Sequence, residues 1–212
     1  MTHTDLLTDL SRKLGDPAMD AALLGEGNTS IREGDAEVDA LFSEIAAREG
    51  RRPSVEALLH VVIYEATGAQ VVAHSHPTSV NALLCSQRAE LLVEGALFPD
   101  QIVVLGATPL LVPYIDPGIR LAREVRGLLR AHIEKHGGAP RVIYLRNHGM
   151  FALGANAAEV LGATAMAQKC ARALIGAESV GGVKFMPAEE VGRIDSRPDE
   201  KYRRALLAGG GK

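Results

Sequence analysis

The chain has 212 residues, 23 basic and 26 acidic, for a formal net charge of −3. A chain this long buries about 70% of its unfolded surface, enough for a core without disulfides or a structural metal, and one domain over residues 1–212 is expected. Four Phe, four Tyr and no Trp, with no basic run of five residues, exclude a stacked-aromatic or polybasic nucleic-acid binder.

Residues 4–14 predict a helix, with Leu6, Leu7, Leu10 and Leu14 on one face. This start is acidic and lacks the apolar segment of a signal peptide. No stretch of 18 uninterrupted apolar residues occurs, so no membrane span is expected and a cytoplasmic location is. Asp16 and Pro17 read as an N-cap and first helical position opening a short second helix. Residues 25–34, GEGNTSIREG, are glycine-rich, then briefly strand-like, then turns. Residues 37–49 have helical spacing through Val38, Leu41, Ile45 and Ala46. RRPSVEALLHVVIYEATG is a helix, with Pro53 near its start and Gly68 past its end.

Residues 70–73 predict a short strand running into His74-Ser75-His76-Pro77, and residues 78–86 begin a helix. Residues 101–105 and 109–114 read as strands, residues 119–136 as a long amphipathic helix, and residues 141–145 as a strand. Asn147-His148-Gly149 follows, then an apolar stretch over 150–153 and a helix over 156–176. Pro187 and Pro198 each open a short polar helical segment. Strands alternating with helices predict an α/β layered class, with the sheet direction left open by periodicity. Cys85 and Cys170 are far apart without CxxC spacing, so neither a disulfide framework nor a cysteine zinc site is expected.

Three of the seven histidines stand out as candidates to carry chemistry. His74 and His76 are two apart at a strand end, so both imidazoles lie on one face. His148 sits just past another strand end; if the two ends are neighbours, three imidazoles converge as in a catalytic zinc site. The alternative is a pair of half-exposed histidines at a strand end. Glu56 is either a carboxylate favouring its helix N-terminus or a general acid/base beside the metal. His60, four residues on, reads as structural. Gly25-Glu26-Gly27-Asn28-Thr29-Ser30 reads as a glycine-rich loop able to approach an anion, but without a GxGxxG or P-loop pattern. Tyr114 and Asp116 are candidates to face a cleft. His132 and His136, spaced i, i+4, read as helix-end histidines more than as ligands.

In this order, G-x-G-N-T-S, P-S-x-E-x-x-x-H, H-x-H-P and N-H-G, the motifs resemble the class II aldolase/adducin family. RRPSVEALLH, HSHPTSVNALLCS, LLVPYIDPG and RNHGM look closest to its rhamnulose-phosphate aldolase-like members. The resemblance implies a three-layer α/β/α sandwich around a mostly antiparallel sheet, assembled as a homotetramer. It implies that His74, His76 and His148 bind zinc or another divalent metal, and that Glu56 is the catalytic acid/base with a pKa nearer neutrality than a free carboxylate. Asn28, Ser30 and Ser54 then bind the phosphate of a sugar-phosphate substrate, cleaved to a dihydroxyacetone-phosphate-like fragment and an aldehyde. Epimerisation, dehydration and decarboxylation use the same chemistry, and adducin-like modules are non-catalytic. The family's second phosphate turn is not visible in the 23 residues between Ser30 and Ser54, so the resemblance implies a fold truncated there by about 50 residues, judged from typical domain sizes.

Overall fold

Two apolar segments, one ending in the paired histidines and one starting at Gly149, pair at the middle of the sheet. The structure is a computed structural model that describes residues 3–21, 28–31 and 56–199. In chain order the elements are helix α1 (His3–Leu14), a 3-10 turn (Pro17–Met19), β1 (Asn28–Ile31), α2 (Ala57–Thr67), β2 (Val71–Ser75), α3 (Thr78–Leu84) and α4 (Leu91–Glu94). They continue as α5 (Pro99–Leu105), β3 (Leu110–Val112), α6 (Ile119–His136), β4 (Val142–Leu145), β5 (Gly149–Gly154), α7 (Ala157–Ser179) and α8 (Ala188–Ser196).

The strand order is β1-β2-β5-β4-β3. The pairs β1/β2, β2/β5 and β5/β4 are antiparallel, and β3 runs parallel to β4. The sheet is therefore mixed, mostly antiparallel with one parallel edge. That edge follows from α6, the helical crossover a parallel connection needs. β2 and β4 are buried along their whole length, because helices cover both faces of the sheet.

Strand alternation sorts the core into two layers. Val71, Ala73, Tyr144, Met150 and Ala152 pack with Leu10 and Leu14 of α1, Val80 and Leu84 of α3, and Ala163, Ala167 and Leu174 of α7. Val72, Ile143, Leu145, Phe151 and Leu153 pack on the other face with Leu59 and Ile63 of α2 and Leu121, Val125 and Leu129 of α6. The result is the expected α/β/α sandwich, with a core built largely from Ala, Leu and Val.

Residues 101–105, expected as a strand, lie in α5. Pro99 takes an early helical position where its missing N–H costs nothing, Asp100 sits in the first turn, and Gly106 ends the helix at φ 78. The Gln101 amide fixes the entry, accepting from Leu97 N at 2.8 Å and donating to Gly95 O at 3.3 Å. These terminal signals and the burial of Ile102 and Leu105 override the β-branched composition. The apolar stretch 150–153 lies within β5. The short helix expected after Asp16 is a 3-10 turn, where Ala18 N–H donates to Asp16 Oδ1 at 2.8 Å. The helix expected over 37–49 lies outside the described residues. Among the described residues no helix is long and apolar enough to cross a membrane.

α7 opens with a reciprocal cap. Asn156 Oδ1 accepts from Glu159 N at 3.0 Å, and Glu159 Oε2 accepts from Ala155 N at 2.9 Å. Asn156→Ala should lower the unfolding free energy by about 1 kcal/mol, read from a shifted urea midpoint at constant slope. An unchanged midpoint would contradict the cap.

Candidate metal centre

The site grows from the end of β2. His74 is 1% exposed, and its Cα partner across the sheet is Phe151. The Phe151 ring stacks on the imidazole at 4.4 Å between centroids and 21° between planes. His74 Nδ1 lies 3.0 Å from the Met150 carbonyl oxygen. A carbonyl only accepts, so Nδ1 carries a proton, and in the neutral ring Nε2 then presents a lone pair.

His76 follows on the same face, its backbone N–H donating to Ala21 O at 2.7 Å. Its ring crosses Gly149 so closely that a Cβ there would lie 2.5 Å from His76 Cδ2 and 2.7 Å from Ser75 O. His148 belongs to the three-residue turn between β4 and β5. Asn147 turns that corner at φ 54, a left-handed conformation that asparagine tolerates. Asn81 of α3 donates to the His148 carbonyl oxygen at 3.0 Å.

Glu56 stands at the N-cap of α2 but makes no side-chain cap hydrogen bond. Its Oε1 lies 2.8 Å from His148 Nε2 and 3.3 Å from His74 Nε2. His76 Nε2 is 2.9 Å from His74 Nε2. One ligand atom from each of Glu56, His74, His76 and His148 falls within 4.8 Å of the others, the one such group of three or more among the described residues.

This donor set fits a divalent cation. The His74 Nε2 lone pair faces a carboxylate oxygen, two acceptors held together that a cation or a shared proton reconciles. Imidazole nitrogens with a carboxylate and no thiolate match zinc and similar divalent ions. Burial raises the Glu56 pKa, but the hydrogen bonds and charges of His148 and His74 outweigh it and hold the carboxyl well below the usual range. The expected near-neutral Glu56 is thus not what this arrangement produces, because two imidazoles point at it.

The other expected residues distribute as follows. In β1, Asn28 pairs with His74, Thr29 with Ala73 and Ser30 with Val72, so the backbone of residues 28–31 runs beside the histidine strand. Gly27 and Ser54 lie outside the described residues, as does the stretch 32–55 that carries the expected truncation. Tyr114 is exposed and donates to Asp116 Oδ1 at 2.7 Å. His60 is buried edge-on to Phe151 at 5.2 Å, and burial pushes its pKa down to about 3, which keeps it neutral. The His132 and His136 rings stand 4.5 Å apart, outside the His/Glu group. Phe151, Met150 and Asn81 were not anticipated as site residues. Their parts depend on cross-strand register and on the placement of α3, which no local motif encodes.

The Class II Aldolase and Adducin N-terminal domain profile matches residues 27–175. A candidate bifunctional methylthioribose-1-phosphate isomerase/methylthioribulose-1-phosphate dehydratase of Nocardia farcinica is 29% identical over 153 residues, 70% of this chain. The chain spans 28% of that relative's length. Among solved structures, YgbL of Klebsiella pneumoniae, a candidate aldolase/epimerase/decarboxylase, superposes at TM-score 0.69 and 20% identity over 92% of this chain and 99% of its own. An L-fuculose 1-phosphate aldolase gives TM-score 0.67 and 20% identity over 96% and 98%.

Gly149→Ala should push the His76 ring aside. Overpacking of this kind costs about 1–3 kcal/mol, and zinc affinity should fall by roughly the 10–100-fold typical of a disturbed ligand support. Chelator competition measures the affinity; an unchanged zinc Kd would contradict the close approach.

Proposed function

The chain belongs to the class II aldolase and adducin family, and on that premise we propose that it is a metal-dependent carbon–carbon lyase. Its substrate is a phosphorylated ketose of the rhamnulose- or fuculose-phosphate type, cleaved to a dihydroxyacetone-phosphate-like fragment and an aldehyde. The observation that carries this reading is the convergence of His74, His76, His148 and Glu56 on one point. His74, His76 and His148 would hold the cation, zinc or another divalent metal. When bound, such a cation supplies Lewis acidity to carbonyl and hydroxyl oxygens.

Glu56 is the residue we assign to proton transfer. Cleavage requires a proton to leave the hydroxyl on the carbon that becomes the aldehyde, and a proton to reach the carbon beside the ketone. What supports Glu56 is a carboxylate within hydrogen-bond reach of His148 and near His74, so that it borders the place where the cation would hold the reacting oxygens. Phe151 and the α2 layer keep water from the far side of His74. Asn28, Ser30 and Ser54, with Gly27 and Thr29, are the proposed phosphate contacts, and Tyr114 a further substrate contact. A homotetramer in the cytoplasm completes the reading.

A second reading, dehydration of a ketose phosphate, is favoured by the 29% identical relative whose description includes methylthioribulose-1-phosphate dehydratase. Both use the same residues, so the product decides.

The zinc-loaded protein should be assayed on rhamnulose, fuculose and methylthioribulose 1-phosphates with NMR detection of products. Dihydroxyacetone phosphate with an aldehyde is expected from one of the first two, and loss of water from the third supports the second reading. Glu56→Gln should retain zinc and lose about 10²–10⁴-fold in turnover. Unchanged turnover in that variant would remove Glu56 from the mechanism, and silence of the loaded wild type on all three would overturn both readings.

A further inference from the structure

α3 begins two residues after His76 and runs against the turn that carries His148. Two hydrogen bonds join helix and turn: Asn147 N–H donates to Leu84 O at 3.2 Å, and Asn81 Nδ2 donates to the His148 carbonyl oxygen at 3.0 Å. The second is made by a side chain and acts on the histidine itself. The amide orientation is set by that contact, because the reversed amide would put Oδ1 against a carbonyl that only accepts.

The other half of the amide is left unsatisfied. Asn81 Oδ1 is buried without a hydrogen-bond partner among the described residues, and a buried acceptor without a donor is destabilising. The fold carries this penalty at the position where Nδ2 holds a member of the His/Glu group. The turn needs such a restraint. It is three residues long, and its middle residue, Asn147, is left-handed, so a small tilt of the turn would swing the His148 ring.

We infer that Asn81 is a positioning residue for the metal centre. By gripping the His148 carbonyl it sets where His148 Nε2 stands relative to His74 and His76. Because α3 follows directly from His76 and Pro77, Asn81 also ties the two arms of the site, the H-x-H strand end and the hairpin turn, to one rigid element. The inference rests on reading the His/Glu group as a metal centre.

The test uses the full chain as wild type, as Asn81→Leu, which keeps the branching without donor or charge, and as Asn81→Ala. The probes are zinc, with Kd from chelator competition well below the melting temperature, and cobalt(II), with its visible absorption as a signature of ligand geometry. In both variants the zinc Kd should rise about 10–100-fold and the cobalt spectrum should change. A Kd and spectrum unchanged in both variants would overturn the inference, even if the metal-free protein melts lower, since that pattern marks a purely structural contact. A wild type that binds neither metal would instead overturn the metal centre, and the inference with it.

Discussion

The antiparallel register between β2 and β5 is the constraint on which the site depends. It sets His74 opposite Phe151 and Ser75 opposite Met150. Phe151 then lies flat against the His74 ring, while the Met150 carbonyl receives its Nδ1 proton. Both restraints on that imidazole come from the neighbouring strand. A slip of one residue would turn every β2 side chain to the opposite face and bury His74 among the side chains of α1 and α7. Such a slip is resisted because both faces of the central strands are packed. The same register brings Gly149 under His76 and starts β5 directly after His148.

The second constraint is electrostatic. A carboxylate and three imidazoles crowd into one partly buried point, and the surroundings favour a charge-compensating occupant. Glu56 stands at the start of α2, where the helix dipole favours negative charge, yet its carboxylate is committed to His148 and His74 rather than to the helix end. Behind it His60 is buried and stays neutral, so α2 does not add a competing positive charge. The Nδ1 bond to a backbone carbonyl fixes one tautomer of His74, leaving the nitrogen that faces the group free to ligate. Sheet, helix start and hairpin turn thus each supply one arm of a single His/Glu group.

Much of this was legible in the sequence. The two-residue spacing of His74 and His76 at the end of a β-rich run already put them on one face. The long helices at 119–136 and 156–176 announced themselves by periodicity and end signals. The convergence of His148 on the pair was conditional on the strands before His76 and before His148 being neighbours, which nothing local settles; β5 in fact stands between them, and the hairpin turn from β4 into β5 carries His148 to the pair. The two readings of Glu56 could not be separated for the same reason. The run Ile102-Val103-Val104 misled, because β-branched residues favour strands in isolation while Pro99 and Gly106 mark a helix around them. Phe151 and Asn81 were illegible, an ordinary core aromatic and an ordinary helix polar residue until register and packing give them work.

The most direct test of the account is zinc K-edge X-ray absorption on protein loaded with one equivalent of zinc. A low-coordinate site of nitrogen and oxygen neighbours at about 2.0–2.1 Å, with outer-shell scattering from three imidazole rings, is expected. A sulfur neighbour near 2.3 Å, the distance of a cysteine ligand, or an ion without imidazole scattering, would contradict it.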